Sequence, residues 1–593
     1  MRIFLAAACA AAMVGITGCS SGGESRSDTA DGESVSKANA TAYRPAGQVF
    51  TDTTALSVVN NRGAYVSAQC YTKTEDAAGA VHNPCFSCHT NSKEPNYVND
   101  WELQERYAVS EYTGTNRWSN LFKDRTAAVA AISDAAILDY VRGANYFDEN
   151  RSIILAEILK SVPQEWDYNG DGSWGGYRPD CYFDFDNEGF DRAPGGSLTG
   201  WRAFGYYPFL GTFWPTNGST DDVLIRLPEV MRQNSDGTID KRVYTVNLAI
   251  VEALIKQTDI AIDPVDENLF GVDLNQNGTL DTADRVVFSW VAPKYDIATR
   301  KLYDFSMYYV GRAKLAQIDN ALHIAPGLYP EQTEFLHSVR YIDVDADGSV
   351  AMASRLKELR YGRKTKWSTY AETRFATLGE IKEKEAFPER LRTITGNAES
   401  GLNSGLGWVY QGFIEDREGY LRPQTYEETL ACIGCHSGIG AIADSTFVFA
   451  RKFDHTAPQR GWYHWSQSES GFRNIPEPRL ADGRYEYTLY LEENRAGDEF
   501  RANGEVLEKF FDADGTLKTP EIATLHTDIA HLIIPTAGRA LMLNKAYKVI
   551  VDEQSHIYGR DAHVAPVANV HEHVDIDQST GASAVMMERY PLQ

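Results

Sequence analysis

The chain has 593 residues, a formal net charge of −25, 43% hydrophobic residues and 23% charged residues. This balance supports a sizeable core and argues against a largely disordered chain. The acidic excess, with no long basic run, argues against nucleic acid as a partner and against a polybasic membrane patch.

The N-terminus reads as an export signal: Met1-Arg2, an apolar run from Ile3 to Ile16, then Thr17-Gly18-Cys19. The run is too short to span a bilayer as a stable anchor. Ile16-Thr17-Gly18-Cys19 resembles the bacterial lipobox, and that resemblance implies cleavage before Cys19 and lipidation of its thiol. Residues 1–18 are thus read as a lipoprotein signal peptide. Residues 19–42, rich in Ser, Gly, Asp, Glu and Ala, are read as a flexible tether. Ser20 stands where an inner-membrane retention signal would place Asp. The expected location is therefore the outer membrane, facing the periplasm or the exterior.

The next segment, 43–165, contains Cys85-Phe86-Ser87-Cys88-His89, and the last, 396–593, contains Cys432-Ile433-Gly434-Cys435-His436. Both read C-x-x-C-H, the attachment site of a c-type haem. Two thiols add to the two vinyl groups of one haem, and the following imidazole ligates the iron. Two covalently bound haems are the cofactors this pattern predicts. Helices are predicted over 127–142 and 152–160, and a short one leads from Thr425 into the second motif. Pro520 opens a further helix whose apolar residues run from Ile522 to Ile533. The middle, 166–395, shows runs read as strands: Val223–Leu227, Val243–Leu248, Arg285–Trp290 and Leu302–Val310. Ser445–Lys452 and Tyr485–Leu491 are read as strands too. The predicted fold is a multidomain α+β protein, with mostly helical haem segments flanking a β-rich region that contains calcium-like loops.

Those loops carry oxygen side chains at alternating positions. Asp273, Asn275, Asn277, Thr279, Asp281 and Asp284 form the fullest match, with Gly278 at the sharp turn. Asp343, Asp345 and Asp347 begin a second loop, and Asp167, Asn169 and Asp171 a third. Calcium is the ion this pattern predicts. Of the eight cysteines, Cys9 leaves with the signal, Cys19 takes lipid and four hold haem. The remaining two, Cys70 and Cys181, are predicted to pair in an oxidising compartment. The ligand opposite each proximal His decides between carrier and enzyme. His526 falls at the edge of the apolar face of the helix after Pro520 and is the distal ligand favoured from sequence.

The two C-x-x-C-H motifs and the lipobox together resemble dihaem c-type cytochrome lipoproteins. The resemblance implies electron transfer between redox partners, other cytochromes among them, or to an external acceptor. An alternative is a dihaem oxidoreductase, peroxidase- or oxygenase-like, with one open iron. A second alternative is a docking or assembly component of a cytochrome complex.

Overall fold

A computed structural model describes residues 66–582, apart from 76–77, 91–94, 96–104, 209–214, 437, 440–441, 465–466, 468–471 and 496–502. The signal peptide, the tether and Cys19 lie outside the described residues.

A ten-stranded antiparallel sheet organises the described residues. Its strands are β1 (Phe190–Arg192), β2 (Leu198–Phe204), β3 (Thr220–Asp221), β4 (Val223–Arg226), β5 (Glu334–Val344), β6 (Val350–Lys364), β7 (Gly396–Asn397), β8 (Gly401–Asn403), β9 (Trp408–Glu415) and β10 (Leu421–Pro423). The spatial order is β7-β8-β9-β6-β5-β4-β2-β1, with β10 on β9 and β3 on β5. The long hairpin β5–β6 is the spine. Its turn is Asp345-Ala346-Asp347-Gly348-Ser349, where Gly348 adopts a φ of +83° that favours glycine. The amide of Asp345 donates to the Ser349 carbonyl at 2.9 Å.

Alternation along the spine gives the sheet two different faces. Leu336 of β5, Leu359 and Tyr361 of β6 and Phe413 of β9 join one core, covered by residues between Tyr146 and Cys181 that include Trp166 and Trp174. Phe335 of β5 and Trp408 and Tyr410 of β9 belong to a second core with the helix α1 (Lys241–Lys256). Asp240 caps α1, accepting from the Arg242 amide at 2.8 Å. Almost all of α1 is buried, so its Glu252 is neutralised within the core by Lys256 at 3.0 Å and Lys452 at 3.1 Å. The strand predicted over Val243–Leu248 is corrected by this helix. In a window of only six residues its apolar run cannot be told from a buried strand.

Two further helices fix the spine. α2 (Tyr426–Cys435) ends in the second motif. α3 (Ala537–Glu553) packs on β5, whose register shifts between Arg340 and Ile342. There the Asn544 amide serves the backbone of Ile342, next to the bulge. It donates to the Ile342 carbonyl at 2.6 Å and accepts from the Ile342 amide at 3.2 Å.

The first motif is held differently. Residues 564–580 run as an extended brace along the segment that contains it. His571 donates to the Tyr71 carbonyl, Val574 to that of Gly114 and Asn83 to that of Thr580, at 2.8, 2.8 and 2.7 Å. Tyr71, Tyr107, Trp118, Leu121, Val570 and Val574 form a small core beneath. A side chain at Gly114 would bring its Cβ within 2.7 Å of the Val574 carbonyl, so glycine permits the brace to approach.

The expected architecture is thereby corrected. The body is β-sheet-rich, and the segments around the motifs are not mostly helical. Strands from both sides of residue 395 share one sheet, and the chain from Ala42 onward clusters as one unit. Ser445–Lys452 and Tyr485–Leu491, read as strands, contain the helices Val448–Arg451 and Glu486–Asn494 instead. The helix predicted at the second motif is present; the one predicted over 127–142 is split into Thr126–Ala130 and Asp134–Arg142, and the one after Pro520 ends at Leu525, with Ala530–Ile533 a separate helix.

Candidate functional site

Cys85 to Ser87 form a short 3-10 turn after Pro84, and the amides of Cys88 and His89 both donate to the Cys85 carbonyl, at 3.0 and 2.9 Å. In such a turn the side chains three residues apart eclipse, so Cys85 and Cys88 share a face. Asn83 anchors the turn. Its amide side chain donates to the Cys70 carbonyl at 2.7 Å and to the Tyr107 hydroxyl at 3.1 Å, while the Cys85 thiol donates to its Oδ1 at 3.0 Å.

Cys432 and Cys435 close the last turn of α2, again three residues apart on one face. Thr425 and Glu428 form a reciprocal capping box at the other end. Glu428 is fully buried and takes both guanidinium nitrogens of Arg422, each at 2.8 Å. Burial alone would raise the Glu428 carboxyl. Arg422 overrides this and holds it at about 2. His436 follows the helix. Its Nδ1 donates to the Ser445 carbonyl at 2.8 Å. Burial pushes its pKa down to about 4, so the ring is neutral and Nε2 carries the lone pair.

Although Cys85 and Cys432 stand 347 positions apart in sequence, both motifs line one cavity of about 310 Å³. All four thiols and both imidazoles are on its wall. The sheet supplies the floor, through Phe335, His337 and Val339 of β5 and Glu358, Arg360 and Gly362 of β6. Tyr410 of β9 lies against His436, with ring centroids 4.6 Å apart. Gly362 leaves room for that tyrosine, since a Cβ there would stand 2.9 Å from its ring.

The cavity wall carries more positive than negative charge around Glu358. Arg360 approaches Glu358 at 2.9 Å and Arg560 at 2.6 Å, so two guanidiniums face one carboxylate. Burial works against the Glu358 carboxylate, but the two arginines keep it ionised, at about 2. A carboxylate-bearing ligand is electrostatically suited to this wall.

Each motif carries the donor types of a c-type haem attachment, two thiols and an imidazole. Each pair of thiols shares a face, and the walls are aromatic. The His436 ring is oriented by a backbone carbonyl, as a metal-bound imidazole commonly is. Among the described residues, no three His, Cys, Asp or Glu side chains gather as a metal-binding group. The thiols and imidazoles instead spread along the cavity wall.

Other predicted residues lie elsewhere. His526 stacks on Tyr485, with centroids 3.6 Å apart, and contacts Thr488 at 3.3 Å. It is not among the described residues of the cavity wall. No disulfide joins Cys70 to Cys181, which corrects that pairing. Cys70 is on the cavity wall, whereas Cys181 is fully buried in the core on the other face of the sheet.

In the fullest calcium-like loop, Asp273 accepts from the amides of Asn277 and Gly278, at 3.2 and 2.9 Å. Asp281 accepts from the side chains of Asn275, Asn277 and Thr279. Asp284 instead lies in a strand and meets the Arg285 guanidinium at 3.1 Å. In the Asp167 loop, Asn169 accepts from the amide of Asp171, whose own carboxylate accepts from that of Ser173. Glu399, distant in sequence, reaches Asn169 and Gly175, at 3.4 and 2.8 Å. Asp345 and Asp347 form the β5–β6 turn, and Asp343 pairs with Arg142 at 2.8 Å.

A lipoprotein family model matches residues 54–528. The chain belongs to this lipoprotein family. It is also 30% identical over 580 residues to an uncharacterized lipoprotein of Aquifex aeolicus (strain VF5), covering 87% of this chain and 89% of the relative. No solved structure matches. The resemblance to dihaem c-type cytochrome lipoproteins is thereby corrected as a family assignment: the family is described by lipid attachment, and neither it nor the relative's name refers to haem. The lipoprotein is a membrane-anchored type. Among its described residues, no helix is long and apolar enough to cross a membrane.

Sequence reasoning missed His337, Glu358, Arg360, Tyr410 and Arg560 at this site. The signal for His337 was present: Phe335-Leu336-His337-Ser338-Val339 places an imidazole between two apolar residues at strand spacing.

Proposed function

We propose that each C-x-x-C-H motif of this lipoprotein carries one covalently bound c-type haem and that the protein transfers electrons between redox partners, or to an external acceptor. The observation that supports this most strongly is the meeting of both motifs on one cavity. When bound, the two groups supply reversible one-electron couples.

The chain's part is to hold and insulate them. Cys85 and Cys88 would hold one group through their thiols, and His89 would supply an imidazole to its iron. Cys432, Cys435 and His436 would do the same for the other. Ser445 fixes the His436 ring, and Arg360 and Arg560 offer cationic partners to propionates. Phe335, Tyr410 and Phe447 exclude water. Lipidation at Cys19 holds the protein to a membrane. With Ser20 following Cys19, we place it at the outer membrane, where other cytochromes are suitable partners. Calcium in the Asp273 and Asp167 loops would brace the surface and offset part of the acidic charge.

An optical spectrum of the exported protein, ferric and then dithionite-reduced, tests this reading. Low-spin c-type haem bands unaffected by carbon monoxide are expected of a carrier. A shift with carbon monoxide would overturn the carrier role in favour of an open iron. Absence of haem absorbance would overturn the reading altogether.

A further inference from the structure

We infer that the helix Tyr370–Ala386 lays its outer face on the bilayer to which this lipoprotein is anchored. The helix follows β6 and is opened by a capping box between Thr369 and Glu372, yet none of its residues is buried. Tyr370, Thr373 and Thr377, one stripe at helical spacing, are its half-buried side. Tyr370 fastens that side to the body through its hydroxyl, which donates to the Pro326 carbonyl at 2.7 Å. Ala371, Phe375, Leu378 and Lys382 form the stripe that points away from the body. Phe375 is 79% exposed and Leu378 51%. A surface helix ordinarily turns its apolar stripe to the core and its polar side to water. Here the arrangement is reversed, and two large apolar side chains face outward.

Charge and attachment select a lipid surface as the occupant. The whole chain carries 82 acidic against 57 basic side chains, but residues 366–392 carry six Lys or Arg against five Glu. Lys382 closes the apolar stripe, and its long stem lets the ammonium rest among lipid headgroups while the stripe is buried. Glu380 and Glu383 fall away from the stripe and pair with Arg392 at 3.6 Å and Arg390 at 2.9 Å. Of the helix's four acidic side chains, Glu385 alone borders the stripe. A second exposed apolar element is rooted in the same stretch of chain. The hairpin formed by Lys294–Asp296 and Lys301–Tyr303 carries Ile297, 83% exposed, at its turn, with Tyr295 and Tyr303 exposed beside it. Asn320 accepts from the Leu302 amide at 2.7 Å, and nearby His323 stacks on Trp367, just before the helix. Tyrosine is favoured at the boundary between hydrocarbon and water. The 46 residues between Cys19 and Val66 are chain enough for a lipid-anchored body to lie on its own membrane.

Amide hydrogen exchange tests this on the full lipidated protein, held by its lipid on vesicles of phosphatidylethanolamine and phosphatidylglycerol. Phe375→Glu/Leu378→Glu is compared with the wild type. Both proteins stay tethered through Cys19, so only the helix contact differs. Residues 370–386 are expected to exchange at least about tenfold more slowly in the wild type, since each large apolar side chain kept out of the bilayer weakens the contact by about that factor. Glutamate is a good helix former, so the difference reads the lipid contact and not helix propensity. Without vesicles, the two sequences in the unlipidated Cys19→Ser chain should exchange alike, with the same urea midpoint. Equal exchange of the two tethered proteins on vesicles would overturn the inference. So would protection of the wild type that disappears as the protein-to-lipid ratio falls, which would assign the stripe to a second copy of the chain.

Discussion

The two motifs have the same spacing but opposite kinds of support. The second ends a capped helix whose first turn is tied to Arg422 by a fully buried bidentate ion pair. The first occupies a 3-10 turn and is bound to the rest by backbone pairing with residues nearly 500 positions away, in the brace 564–580. One is supported by local structure and buried charge, the other by long-range closure over a small core. The contrast teaches that a short C-x-x-C-H motif leaves its scaffold open.

The largest effect is expected from Arg422→Met. It leaves Glu428 buried without its cation, and loss of one partner of a buried pair costs about 3–5 kcal/mol. Urea unfolding should show this, with much of the loss recovered in Arg422→Met/Glu428→Gln. If Arg422→Met alone is neutral, buried charge does not support the second motif.

Acid should discriminate the regions next. Burial, reinforced by Arg422 and Arg560, pushes the pKa of His556 down to about 4. The unfolded chain therefore takes up a proton from about pH 6.5 downward while the folded one does not. Stability from this residue is complete above pH 6.5 and is lost as pH falls to about 4, on the order of 3 kcal/mol. A second loss follows between about pH 4.5 and 2, as Glu358 and Glu428 protonate. His556→Gln should flatten the first window, as measured by the urea midpoint against pH. An unchanged slope would remove His556 from the account.

Val574→Ala should cost about 2 kcal/mol by removing buried methyl groups. The cost is expected to appear locally, as faster amide exchange in residues 66–122, with α2 unaffected. Equal acceleration in both regions would mean that they open as one unit. Thr425→Ala removes a helix cap and should cost about 1 kcal/mol, read from the same urea midpoint. Removing calcium with a chelator should lower the thermal midpoint of the wild type and leave Asp273→Ala unmoved; an unmoved wild type would dismiss the Asp273 loop as an ion site.

How much of this was legible in sequence follows from the range of the forces involved. The helix into the second motif was legible because Thr425, Glu428 and the apolar run are local. The brace was not, because 564–580 has no periodicity and gains its order only from backbone partners near residue 70. α1 was misread as a strand because the reading took only the six residues 243–248 of a helix that runs from Lys241 to Lys256. His526 drew notice on a helix wheel, yet stacks on Tyr485 and is not among the described residues of the cavity wall. His337 escaped notice although its strand alternation was visible, because nothing local showed which face of the sheet would meet the motifs. Glu399 was equally hidden as a neighbour of the Asp167 loop.

The most direct test of the claim that both motifs serve one cavity follows from the proposed haems: if each motif holds one, their two irons in the diferric protein should couple magnetically, as measured by electron paramagnetic resonance. Single-haem variants, Cys85→Ala/Cys88→Ala and Cys432→Ala/Cys435→Ala, supply the uncoupled references. The account predicts a wild-type spectrum that is not the sum of those two, with faster spin relaxation at each iron. A wild-type spectrum equal to their sum, with unchanged relaxation, would contradict it.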